Sequence, residues 1–174
     1  MNAVPARRRL GLLLALAATG LAGAAPARAL QRGDRLVPPP LPLLDGRLLR
    51  PQDWAGQAWV LSFFTLDCPY CQRHNARLDT LSRRMAGQGL QVLGVTQDQP
   101  EAVREHLQRH GLGFAATAQG ATLRALVTAR RIVPFTAVID GQGVVRELIP
   151  GEMSDDDVQG LAHWAQPSGA SGPL

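Results

Sequence analysis

The chain has only two cysteines, Cys68 and Cys71, and both fall in one Cys-Pro-Tyr-Cys run. No structural disulfide framework can therefore exist, and the pair reads as a redox dithiol or as half of a metal site. The residues before it, Trp59 to Thr65, form a near-continuous apolar run of strand length. Those after it, from about Tyr70 to Met85, place Leu78, Leu81 and Met85 on one helical face, with Gly87 and Gly89 ending the helix. Cys68 is thereby predicted at a helix N-terminus, where free N–H groups and the helix dipole favour a thiolate. Cys71, three residues on, shares its face and can reach the first sulfur. The chemistry implied is dithiol–disulfide exchange, with Cys68 as exposed nucleophile and Cys71 as shielded resolving thiol. Pro69 lacks an N–H that would go unpaired there and sets the angle at which the helix begins. A ring this small gives little chain-entropy stabilisation, so stability is a poor reason for such a bridge.

Metal binding is the competing use of the same residues. His106 and His110 make an H-x-x-x-H at helical spacing, but the stretch from Cys71 to His106 far exceeds finger spacing. His106, His110 and His74 are read instead as lying on solvated helix faces. A copper-delivery module using the cysteine pair with Met153 or a histidine is a minor alternative, since no Met-rich stretch exists. No metal ligand set and no cofactor other than the redox disulfide is assigned.

The N-terminus reads as a leader. Arg7, Arg8 and Arg9 precede an apolar run from Leu10 to Ala22, and Ala27-Arg28-Ala29 has the form of a cleavage site. Cleavage is expected after Ala29, with Ala24 or Ala27 as weaker alternatives and an uncleaved anchor as the runner-up. The export route is left open. All 18 basic residues are arginine; four lie in residues 1–29, which hold none of the 14 acids, so the remainder has zero formal net charge. The basicity belongs to export and gives no support to a nucleic-acid partner. In an oxidising compartment the two thiols close into a disulfide unless a reductant keeps them open.

Stepping along the rest of the chain, Pro38, Pro39, Pro40 and Pro42 precede or begin a hairpin over Leu41 to Leu49, turning at Asp45-Gly46. After the cysteine helix come a strand over Gln91 to Thr96 and a helix opened by Pro100 and running to His110. A short strand follows around Phe114 to Thr117, then a helix over Ala121 to Ala129. Strands over Thr136 to Ile139 and Val144 to Ile149 flank Asp140-Gly141-Gln142-Gly143, a hairpin signal. Ser154 with Asp155, Asp156 and Asp157 caps a last helix through Trp164. The domains expected are the leader over 1–29, one α/β domain over 30–166 with a mixed central sheet flanked by helices, and a loose tail over 167–174.

Val60 to Cys71 resembles the active-site strand and loop of thioredoxins, and Ile132-Val133-Pro134-Phe135-Thr136-Ala137-Val138-Ile139-Asp140 resembles their Val-Pro-Thr segment. Leu41 to Gly56 is similar to the N-terminal hairpin of the TlpA/ResA-like extracytoplasmic thioredoxins. The resemblance runs from about residue 36 to 165 and implies a thioredoxin-like fold with an N-terminal β-hairpin extension. It implies a cis Pro134 beside the cysteines, with the Val133 backbone presented to a substrate strand. An ordinary trans proline opening a strand is the alternative.

Three positions depart from the resemblance. Ser62 stands where thioredoxin carries a buried acid, so the usual proton acceptor near the resolving thiol is missing. Asp98 is the nearby candidate for proton handling by a loop acid, or equally a helix N-cap before Pro100. Asp67 replaces a tryptophan beside the nucleophile, and its charge disfavours the thiolate. The Pro69-Tyr70 pair is more typical of glutaredoxins.

The function implied is a periplasmic protein-disulfide reductase, drawing electrons from a membrane donor of the DsbD/CcdA type and serving exported protein disulfides such as those of apocytochrome c. A DsbA-like oxidase or isomerase is an alternative, although the connection from Val95 to Phe114 has room for one helix and not for a helical insertion. A peroxiredoxin-like thiol peroxidase needs Pro-x-x-x-Thr-x-x-Cys; Thr65 fits, but Leu61 stands at the proline position.

Overall fold

The computed structural model describes residues 28–165. The leader, apart from Arg28 and Ala29, and the C-terminal tail lie outside the described residues. Among those described, no helix is long and apolar enough to cross a membrane.

Strands β1 (Leu41–Pro42) and β2 (Leu48–Leu49) pair antiparallel as a small hairpin. Gly46 supplies the positive φ of the turn at 89°. A 3-10 turn over Pro51–Trp54 leads into β3 (Ala58–Phe63), whose six residues are all buried. Then follow α1 (Pro69–Arg84), β4 (Leu90–Val95), α2 (Pro100–Arg109), β5 (Ala115–Thr117) and α3 (Gly120–Val127). Strands β6 (Phe135–Ile139) and β7 (Val145–Pro150) precede α4 (Asp155–Gly160), which tightens into a 3-10 turn over Leu161–Trp164. The main sheet runs β5-β4-β3-β6-β7. β3 is parallel to β4 and antiparallel to β6, so it is central and hydrogen-bonded on both edges.

Successive side chains of β3 point to opposite faces, and this alternation divides the core. Trp59, Leu61 and Phe63 join the hairpin residues Leu41 and Leu49 with Leu123 and Val127 of α3. Ala58 and Val60 pack on the other face with Leu78 and Leu81 of α1 and Val158 of α4. At the open end of β3, Phe64 and Val103 of α2 enclose Cys71. Three turns close by side-chain logic visible in the sequence. Asp45 accepts the Arg47 N–H at 3.0 Å, Asp140 accepts the Gln142 and Val144 N–H groups at 2.9 Å each, and the Ser154 hydroxyl caps α4 by accepting the Asp157 N–H at 3.2 Å.

Candidate active site

Chain direction brings the parts of the site to one end of the sheet, where β3 and β4 finish and the antiparallel β6 begins. β3 ends at Phe63, and the loop Phe64–Asp67 delivers Cys68 to the N-cap of α1. There its sulfur accepts the Cys71 N–H at 3.1 Å, one of the donors a helix start leaves unpaired. Cys68 and Cys71 are joined as a disulfide with Cα atoms 5.2 Å apart. Cys71 is 0% exposed, whereas Cys68 is half-buried and Pro69 and Tyr70 are exposed. The Val133–Pro134 peptide bond is cis, and half-buried Val133 packs against the cluster of Phe64, Cys71 and Val103. Among the described residues, no hydrogen bond engages the Val133 main-chain N–H or carbonyl.

Asp98 sits in the loop after β4. Its Oδ2 accepts the Leu66 N–H at 2.8 Å and the Thr96 hydroxyl at 3.0 Å. The N-cap alternative fails: Gln99 is the cap of α2, and Asp98 is turned back toward the loop before Cys68. Its carboxylate ties the end of β4 to the backbone two residues before the first cysteine.

Two histidine expectations are corrected. His74 is 0% exposed rather than solvated, because it stands three residues after Cys71 and four before Leu78 and so belongs to the buried stripe of α1. Its Nε2 meets the Thr136 hydroxyl at 2.9 Å, and its Nδ1 accepts the Met153 N–H at 3.4 Å. Burial, with Arg77 adding to it against Glu152, pushes its pKa down to about 4. His106 is also buried, three residues after Val103 on the inner face of α2, and of the three histidines expected on solvated faces His110 alone is exposed. The two rings lie 4.4 Å apart, and burial followed by His110 and Arg109 lowers the His106 pKa.

Sequence reasoning missed the polar groups below and beside the cysteines. Asn75 is 0% exposed and its Oδ1 accepts the Ser62 hydroxyl at 3.2 Å. Arg73 lies 4.9 Å over the Tyr70 ring and pairs with Glu152, as does Arg77. Those two guanidinium groups hold the Glu152 carboxyl down at about 2. The available signal was helical spacing counted from Cys71, which puts His74 and Asn75 on the face turned to the sheet.

The site thus holds a helix-capping cysteine disulfide-bonded to a buried partner, with the cis-proline next to Val133, which packs against that partner. The model of the AhpC/TSA family matches residues 33–148, two-thirds of the chain. The chain belongs to this family. It is 30% identical over 119 residues to the thiol-disulfide oxidoreductase ResA of Geobacillus thermodenitrificans (strain NG80-2), covering 67% of each protein. It also resembles the crystal structure of a thiol:disulfide interchange protein of the thioredoxin family from Chlorobium tepidum TLS. That match has a TM-score of 0.63 at 23% identity, over 83% of this chain and 99% of that one. Peroxiredoxin Q from Xanthomonas campestris shares the fold as well, with a TM-score of 0.62 at 18% identity over 77% and 99% of the two chains. The relatives and the Cys68–Cys71 disulfide together make this AhpC/TSA member a thiol–disulfide oxidoreductase of thioredoxin fold.

Proposed function

We propose that the protein acts outside the cytoplasm as a protein-disulfide reductase, with Cys68 as the attacking thiol and Cys71 as the resolving one. The observation that carries this reading is the unequal burial of the two sulfurs: a substrate can reach Cys68, while Cys71 is fully enclosed. The Cys68 thiolate attacks a substrate disulfide, forming a mixed disulfide and releasing one substrate thiolate. Cys71 then attacks the Cys68 sulfur, the enzyme disulfide forms, and the second substrate thiolate leaves. Val133 and Pro134 are assigned to substrate binding, since the unpaired Val133 main chain can accept an extended strand beside the cysteines. Export rests on the leader-like residues 1–29 and places the protein in the periplasm, where the enzyme disulfide must be reopened by a membrane donor of the DsbD/CcdA type. Apocytochrome c and other exported cysteine proteins are the substrates proposed. The domain is taken as residues 30–166, followed by a tail.

The test is the Cys68/Cys71 reduction potential, measured with insulin reduction and oxidative refolding on the chain beginning at Leu30. A reductase gives a potential near thioredoxin's, about −270 mV, together with insulin turnover. A potential near −120 mV with efficient oxidative refolding overturns the assignment in favour of an oxidase, on about the same scale. Peroxide turnover abolished by Cys68→Ser would overturn it in favour of a peroxidase. Cys71→Ser is expected to accumulate a mixed disulfide through Cys68.

A further inference from the structure

On the sheet face that packs against α1, beside the apolar Ala58, Val60 and Val138, lies one fully buried polar pair. Ser62 on β3 and Thr136 on β6 are register partners, and both are 0% exposed. Each engages one of two consecutive α1 side chains: Thr136 meets His74, and Ser62 donates to Asn75. His74 has partners on both ring nitrogens. Asn75 does not: its Nδ2, which carries two N–H donors, is buried and has no partner among the described residues. An unpaired buried donor is costly and calls for an explanation.

Its position supplies one. Asn75 follows Cys71 by four residues on α1, so their Cβ atoms are neighbours one turn apart. Helical side chains lean over the turn N-terminal to their own Cα, which here is the turn that carries Cys71. With its oxygen occupied by Ser62, the amide keeps its nitrogen free. In the disulfide state the Cys71 sulfur carries no charge for that nitrogen to serve. In the dithiol state it must ionise before it can attack, and burial disfavours that thiolate unless a donor reaches it.

We propose that Asn75 is a catalytic residue whose amide N–H donates to the Cys71 sulfur in the dithiol state, and that Ser62 is the positioning residue that fixes the amide. The step served is the second half of exchange. The Cys71 thiol gives its proton to solvent, the thiolate attacks the Cys68 sulfur of the mixed disulfide, and the Cys68–Cys71 bond forms as the Cys68–substrate bond breaks. The electron pair leaves on the substrate thiolate, which takes a proton from water. An amide cannot accept the Cys71 proton, as the acid missing at Ser62 could; it lowers the thiol's pKa instead.

The inference rests on Cys71 as the resolving thiol, so its test is separable from the test of that role. Reduced wild type, Asn75→Ala, Asn75→Leu and Ser62→Ala are titrated by thiolate absorbance. Their single-turnover reaction with a small aromatic disulfide is followed across pH, the second phase reporting resolution. Loss of the donor is expected to raise the Cys71 pKa by about one unit, a tenfold change in thiolate fraction at pH values below it. Because the more basic thiolate is the better nucleophile, resolution becomes only about threefold slower at neutral pH and about threefold faster above both pKa values. Crossing rate profiles, shared by the alanine and leucine variants and weaker in Ser62→Ala, are the expected signature. A structural role alone would leave the profiles parallel. Parallel profiles, or a lowered Cys71 pKa, in variants with native circular dichroism overturn the inference. If Cys71→Ser also fails to trap a mixed disulfide, the fault lies with the role assigned to Cys71 instead.

Discussion

At the scale of single residues, the chemistry-bearing pair was legible because cysteine spacing, a preceding apolar run and a proline constrain one another. The buried polar residues of α1 behind it were not, because His74 and Asn75 are polar and a helical stripe is read from its aliphatic members; Ser62 was noticed, but not its bond to Asn75. Asp98 falls between the two cases: its neighbourhood could be guessed, but not its partners. Its carboxylate takes both the Leu66 N–H and the Thr96 hydroxyl, so it fixes the loop that carries Cys68. Asp98→Ala should cost about 1–2 kcal/mol, the loss of two bonds to a charged but half-exposed acceptor. Asp98→Asn keeps an oxygen that can accept from both donors and should recover at least half of that loss. Denaturant midpoints of the oxidised proteins decide the matter. An asparagine variant as unstable as the alanine one would show that charge, and not the shared acceptor, holds the loop.

At the scale of elements, each strand and helix expected from the sequence is present, with ends shifted by a residue or two, except that the last helix stops at Gly160 and reaches Trp164 only as a 3-10 turn. The hydrophobic periodicity that fixes an element's existence is spread over its length, whereas its ends depend on local hydrogen bonds. α3 illustrates this. It stops at Val127 instead of reaching Ala129 because Thr128 turns extended and its hydroxyl accepts the Arg130 N–H at 3.0 Å. It starts at Gly120, whose N–H donates to the Thr96 carbonyl at 2.9 Å. A Cβ on Gly120 would collide with that same carbonyl oxygen, so the helix can approach the end of β4 only with glycine there. Gly120→Ala is expected to destabilise by about 1–3 kcal/mol, since backbone and not a movable side chain must give way. Gly160, in α4, has nothing within 4 Å of its Cβ position, and Gly160→Ala should stabilise by about 0.5 kcal/mol. Urea unfolding of the two variants checks both signs, and equal midpoints would contradict the packing argument.

At the scale of the whole molecule, the least legible feature is how the segments outside the sheet are tied to it. Residues 30–36 run beside the start of β7 through main-chain bonds, Gly33 N–H to the Val145 carbonyl and Val145 N–H to the Asp34 carbonyl, which leave no side-chain pattern to read. The seam joining α1 to β6 and the β7–α4 connection is equally hidden, and it makes stability depend on pH. His74 is held neutral there, its pKa lowered from 6.5 to about 4 by burial. The unfolded chain therefore binds a proton that the folded one refuses, so stability falls as pH drops from 6.5 to 4 and is fully present above that window. The shift corresponds to about 3 kcal/mol. Glu152, lowered from 4.5 to about 2 by Arg73 and Arg77, acts in the same direction in a lower window, its contribution lost as pH falls from 4.5 to 2. The oxidised protein should thus lose stability in two stages on acidification, the first from His74 with a smaller part from His106, whose pKa burial also lowers, and the second from Glu152. Denaturant unfolding at intervals from pH 7.5 to 3 measures the profile in wild type and in His74→Gln. The variant will be less stable at neutral pH, since its bonds to Thr136 and Met153 are disturbed, but its slope between pH 6.5 and 4.5 should flatten while the decline below 4.5 persists. Identical slopes in the two proteins would mean that some other group carries the upper stage and that the α1 seam is not the acid-sensitive joint.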